Sequence, residues 1–142
     1  VSSTRAGQVP VIFAQAASSL RETYSPTSIA LACSGGLDSM ALLRLAHAWA
    51  AAQGIVLHAF HVHHGLSPNA DAWLAHCAQA CAALGIAFDS RHVEVVKGKD
   101  GTESAARKLR YRALGEMCLA HGVPLLLTAH HLDDQAETVL LQ

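Results

Sequence analysis

The sequence predicts an α/β fold, a doubly wound parallel sheet with helices on both faces. Three observations predict it. Short apolar runs at 28–33, 55–62, 86–96 and 123–129 alternate with segments whose apolar residues fall at helical spacing. Glycines stand where helices should stop, at Gly54, Gly85 and Gly122. Each distinctive motif follows the carboxyl end of a predicted strand or opens the next helix, which is where open α/β sheets bind ligands.

The elements follow in order. Val9, Ile12, Phe13, Ala16 and Leu20 give a helical spacing from Val9 to Arg21, broken at Tyr24-Ser25-Pro26. Residues 1–24 are thus expected as a helical segment packed on the same domain as 25–142. Ser28 to Cys33 is almost wholly apolar, as in a strand covered on both faces. A helix is expected from Asp38 to Ala52 and a second strand from Ile55 to Val62. Asn69 is a suitable N-cap for a helix ending at Leu84, and Ile86 to Val96 follows as a third strand. After a Gly/Lys loop (97–101), Thr102 caps a helix from Glu103 to Ala120. Val123 to Ala129 is the fourth strand, with Pro124 near its start, where a missing N–H is tolerated. A last helix is expected from about Asp133 to Gln142, and the sequence stops inside that pattern, which reads as a fragment.

Composition narrows the function classes. The 142 residues are 51% hydrophobic and 15% charged, enough for one domain with a buried sheet. No apolar run approaches the roughly 18 residues that span a bilayer. The first residues lack the apolar core of a signal peptide, so a cytoplasmic protein without membrane contact is expected. A formal net charge of −1 leaves no general nucleic-acid footprint, so any basic surface for RNA is local or lies outside this chain. Cys33, Cys77, Cys81 and Cys118 form no C-x₂-C pair. Cys77 and Cys81 share a helix face, where burial as small apolar residues is expected.

Four motifs carry chemistry. In Ser34-Gly35-Gly36-Leu37-Asp38-Ser39, strand, glycine turn and helix bring backbone N–H groups and a positive helix end around an anion such as phosphate. Asp38 beside phosphates would repel them unless a cation lay between, which points to Mg²⁺. A Walker A loop would need a lysine here, but the chain's lysines are Lys97, Lys99 and Lys108. The second motif is His61-Val62-His63-His64-Gly65-Leu66. Strand alternation sends His61 and His63 to one face and His64 to the other, so one or two can line a nucleotide or substrate while another packs. A zinc site is the weaker alternative, since adjacent histidines rarely aim at one ion.

In the third motif, Glu103-Ser104-Ala105-Ala106-Arg107-Lys108-Leu109-Arg110-Tyr111, Glu103, Arg107 and Arg110 share a helix face. They form either an ordinary surface pair or a phosphate-binding arginine group. The fourth runs from Leu127 through His130-His131-Leu132-Asp133-Asp134 to Glu137-Thr138. Asp133 can cap a helix, and Asp134 is the natural second Mg²⁺ contact opposite Asp38. His130 can donate to charge developing on pyrophosphate or on an activated carbonyl. A capped helix with incidental histidines is the alternative.

The first motif resembles the SGGxDS loop of the N-type ATP pyrophosphatases, whose fold is the Rossmann-like, adenine nucleotide alpha hydrolase type. All four together, from about Ile29 to Gln142, resemble the bacterial tRNA(Ile)-lysidine synthetases. The resemblance implies an enzyme using ATP and Mg²⁺ on an isoleucine tRNA with a CAU anticodon. It adenylates C2 of the wobble cytidine, releases pyrophosphate, and lets free lysine displace AMP. By position, Ser34, Gly35, Gly36, Leu37, Asp38 and Ser39 would hold the β/γ-phosphates, with Asp38 and Asp134 on the metal. His130 and Arg107 would stabilise the transition state, Arg110 more weakly, and His61 and His64 would line the nucleotide. A homodimer is a further expectation for the full-length protein. Rival readings are a 2-thiocytidine synthetase, which would want the missing cysteine pair, a GMP- or NAD-type synthetase sharing only the loop, and a nucleotide-binding module without chemistry.

Overall fold

The computed structural model describes residues 27–34, 37–63, 65, 68–94, 102–128 and 137–140, with backbone alone at 37–38, 102–103 and 137–140. The expected helix at 9–21 lies outside these residues. Five strands, β1 (Ser28–Ala32), β2 (Val56–His63), β3 (Ala87–His92), β4 (Leu125–Thr128) and β5 (Glu137–Leu140), form one sheet in the order β3-β2-β1-β4-β5. Three helices connect the first four: α1 (Leu37–Gln53), α2 (Ala70–Leu84) and α3 (Thr102–His121).

β1 to β4 are parallel, as the alternation of apolar runs and helices predicts. Ser28 pairs with Val56 through Ala32 with Phe60, and Ala30 pairs with Leu126. The chain winds from β1 outward to β2 and β3, then returns through α3 to place β4 on the other side of β1. That reversal makes the carboxyl ends of β1 and β4 the switch point of the sheet.

Strand alternation sorts the core into two layers. Ile29, Leu31, Leu57, Ala59, Leu125 and Leu127 pack with Leu42, Leu43 and Ala46 of α1 and Cys77 and Cys81 of α2. Ala30, Phe60, Val62 and Leu126 point the other way, into a cluster with Ala113, Leu114, Met117 and Cys118 of α3. The sheet is therefore covered on both faces, which is why its central strands are nearly unbroken apolar runs. Gly85 ends α2 in the left-handed region, φ 71°, with its N–H turned back to the Ala82 and Cys81 carbonyls. Asn69 stands at the N-cap position, but its side chain makes no capping hydrogen bond.

One expectation is corrected. The helix predicted from about Asp133 to Gln142 is not what Glu137–Leu140 forms. These residues are β5, antiparallel to β4, with Glu137 opposite Thr128 and Leu140 opposite Leu125. Thr138 and Val139 are β-branched and suit a pleated strand, and the pairing satisfies an edge of β4 that would otherwise be open. The doubly wound parallel sheet thus carries an antiparallel edge strand.

At the far edge, β3 is tied to the end of α3. The Asp89 carboxylate accepts from His121 Nε2 at 2.8 Å, from Arg91 at 2.7 Å and from the Ser90 N–H at 2.8 Å. Burial would raise its pKa, but these donors outweigh it and hold the group below its ordinary 3.8. His58, whose ring lies 5.4 Å from that of His121, is held below its ordinary 6.5 by burial and then by the neighbouring His121 charge. Both shifts mean that the unfolded chain binds protons more readily than the folded one, so both stabilise the fold at higher pH. The melting temperature is expected to fall as pH drops below 6.5, where His58 titrates, and again below 3.8, where Asp89 titrates. Thermal melts across pH check this, and His58→Phe should remove the first decline while leaving the second.

Candidate nucleotide site at the sheet switch point

Two segments leave the sheet side by side at the switch point, after β1 and after β4. The first carries Ser34 to Ser39 directly into α1, whose helical backbone begins at Leu37. Asp38 therefore sits in the first turn of α1, beside the unpaired N–H groups and positive end of the helix dipole. The loop closes on itself: the Ser34 N–H donates to Ser39 Oγ at 2.8 Å. Ser39 is buried, 2% exposed, and its hydroxyl accepts from Ser34 while keeping a proton to donate. Gly35, Gly36 and the Asp38 side chain lie outside the described residues.

The strand end beneath this loop is held by a buried cluster that no local sequence pattern announces. The Cys33 N–H donates to the Phe60 carbonyl at 2.8 Å. His61, only 4% exposed, places Nδ1 2.6 Å from the Cys33 carbonyl. A carbonyl can only accept, so Nδ1 carries the proton. Cys33 and Cys77 sulfurs are 2.8 Å apart, and the Cys77 thiol also lies 3.7 Å from His61 Nδ1. The Cys77 thiol is pushed well above its ordinary range by its hydrogen bond to Cys33 and by burial. Burial, with the nearby Cys33, pushes Cys81 up to about 12. These thiols stay protonated at neutral pH and act as small core residues, as expected for Cys77 and Cys81.

His63 points to the same face as His61, as alternation predicts. Its Nε2 lies 2.7 Å from Asp71 in the first turn of α2, and its ring stacks on His92 at 4.3 Å. His64 lies outside the described residues, and so do His130, His131, Asp133 and Asp134. Among the described residues no group of three or more His, Cys, Asp or Glu side chains forms a metal cluster. The zinc reading of the second motif gains nothing from His61 and His63, which are committed to Cys33 and Asp71.

α3 follows the carboxyl end of β3, so its amino-terminal half lies toward the ligand-binding end of the sheet. Arg107 and Arg110 share a face there, as their spacing predicts. Their guanidinium carbons lie 5.2 and 5.4 Å from the centre of the Tyr111 ring, which packs against the α3 side of the core. The Glu103 side chain lies outside the described residues. The signal that sequence reading missed is Tyr111 itself, an aromatic residue within the arginine motif that gathers both cations.

Residues 10–142 match the PP-loop domain family. The chain is 51% identical over 133 residues to the tRNA(Ile)-lysidine synthase of Burkholderia mallei, covering 93% of this chain and 27% of that protein. It is 54% identical over 118 residues to the tRNA(Ile)-lysidine synthase of Ralstonia nicotianae, covering 81% and 26%. The chain thus spans about a quarter of the length of these relatives. Its fold is similar to the U34-tRNA thiolase NcsA from Methanococcus maripaludis, with a TM-score of 0.67 at 18% identity, covering 89% of this chain and 47% of that one. The NH3-dependent NAD synthetase from Campylobacter jejuni aligns with a TM-score of 0.59 at 14% identity, covering 87% and 55%. The two structural likenesses bear on the fold alone.

Proposed function

The chain belongs to the PP-loop domain family, and on that premise we propose that it is the nucleotide-binding part of a tRNA(Ile)-lysidine synthetase. One observation supports this most: the Ser34–Ser39 loop leaves β1 at the switch point and turns straight into the amino terminus of α1. The proposed reaction takes ATP and an isoleucine tRNA with a CAU anticodon. The C2 oxygen of the wobble cytidine attacks the α-phosphorus, the bond to the β-phosphate breaks, and pyrophosphate leaves. The amine of free lysine then adds to C2 and displaces AMP, giving lysidine. About half of the residues of each relative bearing that name are identical over the stretch they share with this chain.

The chain's own residues would act by position and charge. The α1 amino terminus would face the departing pyrophosphate. Ser39, oriented by the Ser34 N–H, donates its proton to a phosphate oxygen. Arg107, with Arg110 beside it on Tyr111, offers a planar fork to charge developing on the phosphates. His130 would donate to the same charge from the segment after β4, and His64 would line the nucleotide. Asp38 and Asp134 are hard oxygen donors, the chemistry Mg²⁺ requires, and would hold it with the phosphates. Bound there, the ion would neutralise the leaving pyrophosphate. Residues 25–142 would form this catalytic unit, with 1–24 packed on it and a homodimer in the full-length protein.

The test is to incubate the full-length protein with ATP, Mg²⁺, lysine and unmodified isoleucine tRNA, then weigh the nucleosides of the digested tRNA. A cytidine heavier by lysine minus water is expected. Unmodified cytidine under these conditions would reject the assignment, and a thiolated one, seen when a sulfur donor is also supplied, would favour the rival thiolase.

A further inference from the structure

We propose that His61 is a positioning residue for the loop: it sets the Cys33–Ser34 peptide and, through it, the hydroxyl of Ser39. This rests on the ATP-binding reading above. The loop's first peptide group is held at both ends. Its carbonyl, on Cys33, accepts from His61 Nδ1 at 2.6 Å. Its N–H, on Ser34, donates to Ser39 Oγ at 2.8 Å. A peptide group is planar, so fixing the carbonyl direction fixes the N–H direction on the opposite side. The Ser39 oxygen lies in that direction, and its remaining proton is aimed by the bond it has accepted.

The neighbouring bond from the Cys33 N–H to the Phe60 carbonyl, 2.8 Å, closes the preceding peptide to β2. Three consecutive polar groups at the strand-to-loop junction are thereby assigned. His61 is 4% exposed, so in place of the nucleotide-lining role that the resemblance implies it acts through the main chain and not by touching a ligand. The Cys77 thiol donates to the same carbonyl at 3.5 Å, a second and weaker donor, and lies 3.7 Å from Nδ1. A buried imidazole that donates to a loop carbonyl costs the core an apolar side chain at that position, and the return is a loop whose first peptide is already turned.

Three variants of the full-length protein test this. His61→Leu keeps bulk but removes the imidazole donor to the Cys33 carbonyl, leaving it the weaker Cys77 thiol at 3.5 Å. His61→Asn keeps an N–H donor at the distance of Nδ1 from Cβ. His61→Gln carries its donor one bond further out. ATP affinity in Mg²⁺, tRNA affinity and melting temperature are measured for each. The leucine variant is expected to bind ATP about tenfold more weakly, the scale of one buried hydrogen bond lost. Its tRNA affinity should not change, and asparagine should restore ATP affinity. If the leucine variant does not fold, asparagine and glutamine decide between themselves, with glutamine expected to be the weaker binder.

ATP affinity that is unchanged in both the leucine and glutamine variants would overturn the positioning role. So would ATP and tRNA affinity falling together with the melting temperature, the mark of a purely structural residue. Wild-type protein that binds no ATP would overturn the nucleotide reading beneath it, and that result is separable because it needs no variant.

Discussion

Replacing Asp38 by alanine is expected to change ATP affinity in opposite directions with and without Mg²⁺. Asp38 stands in the first turn of α1, where backbone N–H groups favour an anion. On the proposed metal role, its carboxylate without metal would repel phosphates held at this helix end. In EDTA, Asp38→Ala should therefore bind ATP more tightly than the wild type. In Mg²⁺ it should bind more weakly, because the proposed bridge between carboxylate and phosphates would be gone. AMP formation with tRNA and lysine should fall by about a thousandfold, the scale expected when a charge-stabilising group is removed from a phosphoryl-type transfer. Titration of ATP with and without Mg²⁺, together with AMP release, reads both effects. Undiminished AMP formation, or the same sign of change in both conditions, would sink the metal role of Asp38.

The second large effect concerns the fold. Phe60 is 1% exposed and sits in the layer beneath α3 with Leu114, Met117 and Cys118. Phe60→Ala removes a ring from a close-packed interior and leaves a cavity, a change that costs about 3–5 kcal/mol. Against a total stability of roughly 5–15 kcal/mol, this should lower the melting temperature by roughly 10–20 °C. The Phe60 carbonyl also accepts the Cys33 N–H, so the cavity lies one residue from the loop's anchor. A melting temperature within a few degrees of wild type would mean that α3 settles into the gap.

The four parallel strands and three helices were legible because their patterns are long and agree with their punctuation. The apolar run at β1, the αL glycine after α2 and the alternation in β2 each point to one outcome. β5 was misread for a physical reason. Thr138-Val139-Leu140-Leu141 is a short apolar run whose period fits a helix or a strand, and pairing with β4 decided between them. In the candidate site, the loop and the arginine face were visible in the spacing, but the contact of His61 with the Cys33 carbonyl was not. Alternation told which face His61 occupies, not that Cys77 of α2 would cover that face. Their contact joins positions far apart in the chain, and such packing leaves no local trace. Tyr111 escaped notice because an aromatic residue on a helix ordinarily signals core, and here it does that while also gathering two cations.

The outermost strand on the β2 side, β3, meets only one neighbour in the sheet. Among the described residues, its other edge pairs with no further strand. Yet Asp89, Arg91 and His92 crowd its six residues, and Asp89 is already engaged by Arg91 and His121. A second molecule trying to extend the sheet there would have to strip water from these charges and part that cluster. The ion pairs that bind β3 to α3 thus also guard the molecule against stacking edge to edge with its own copies, and so against aggregation.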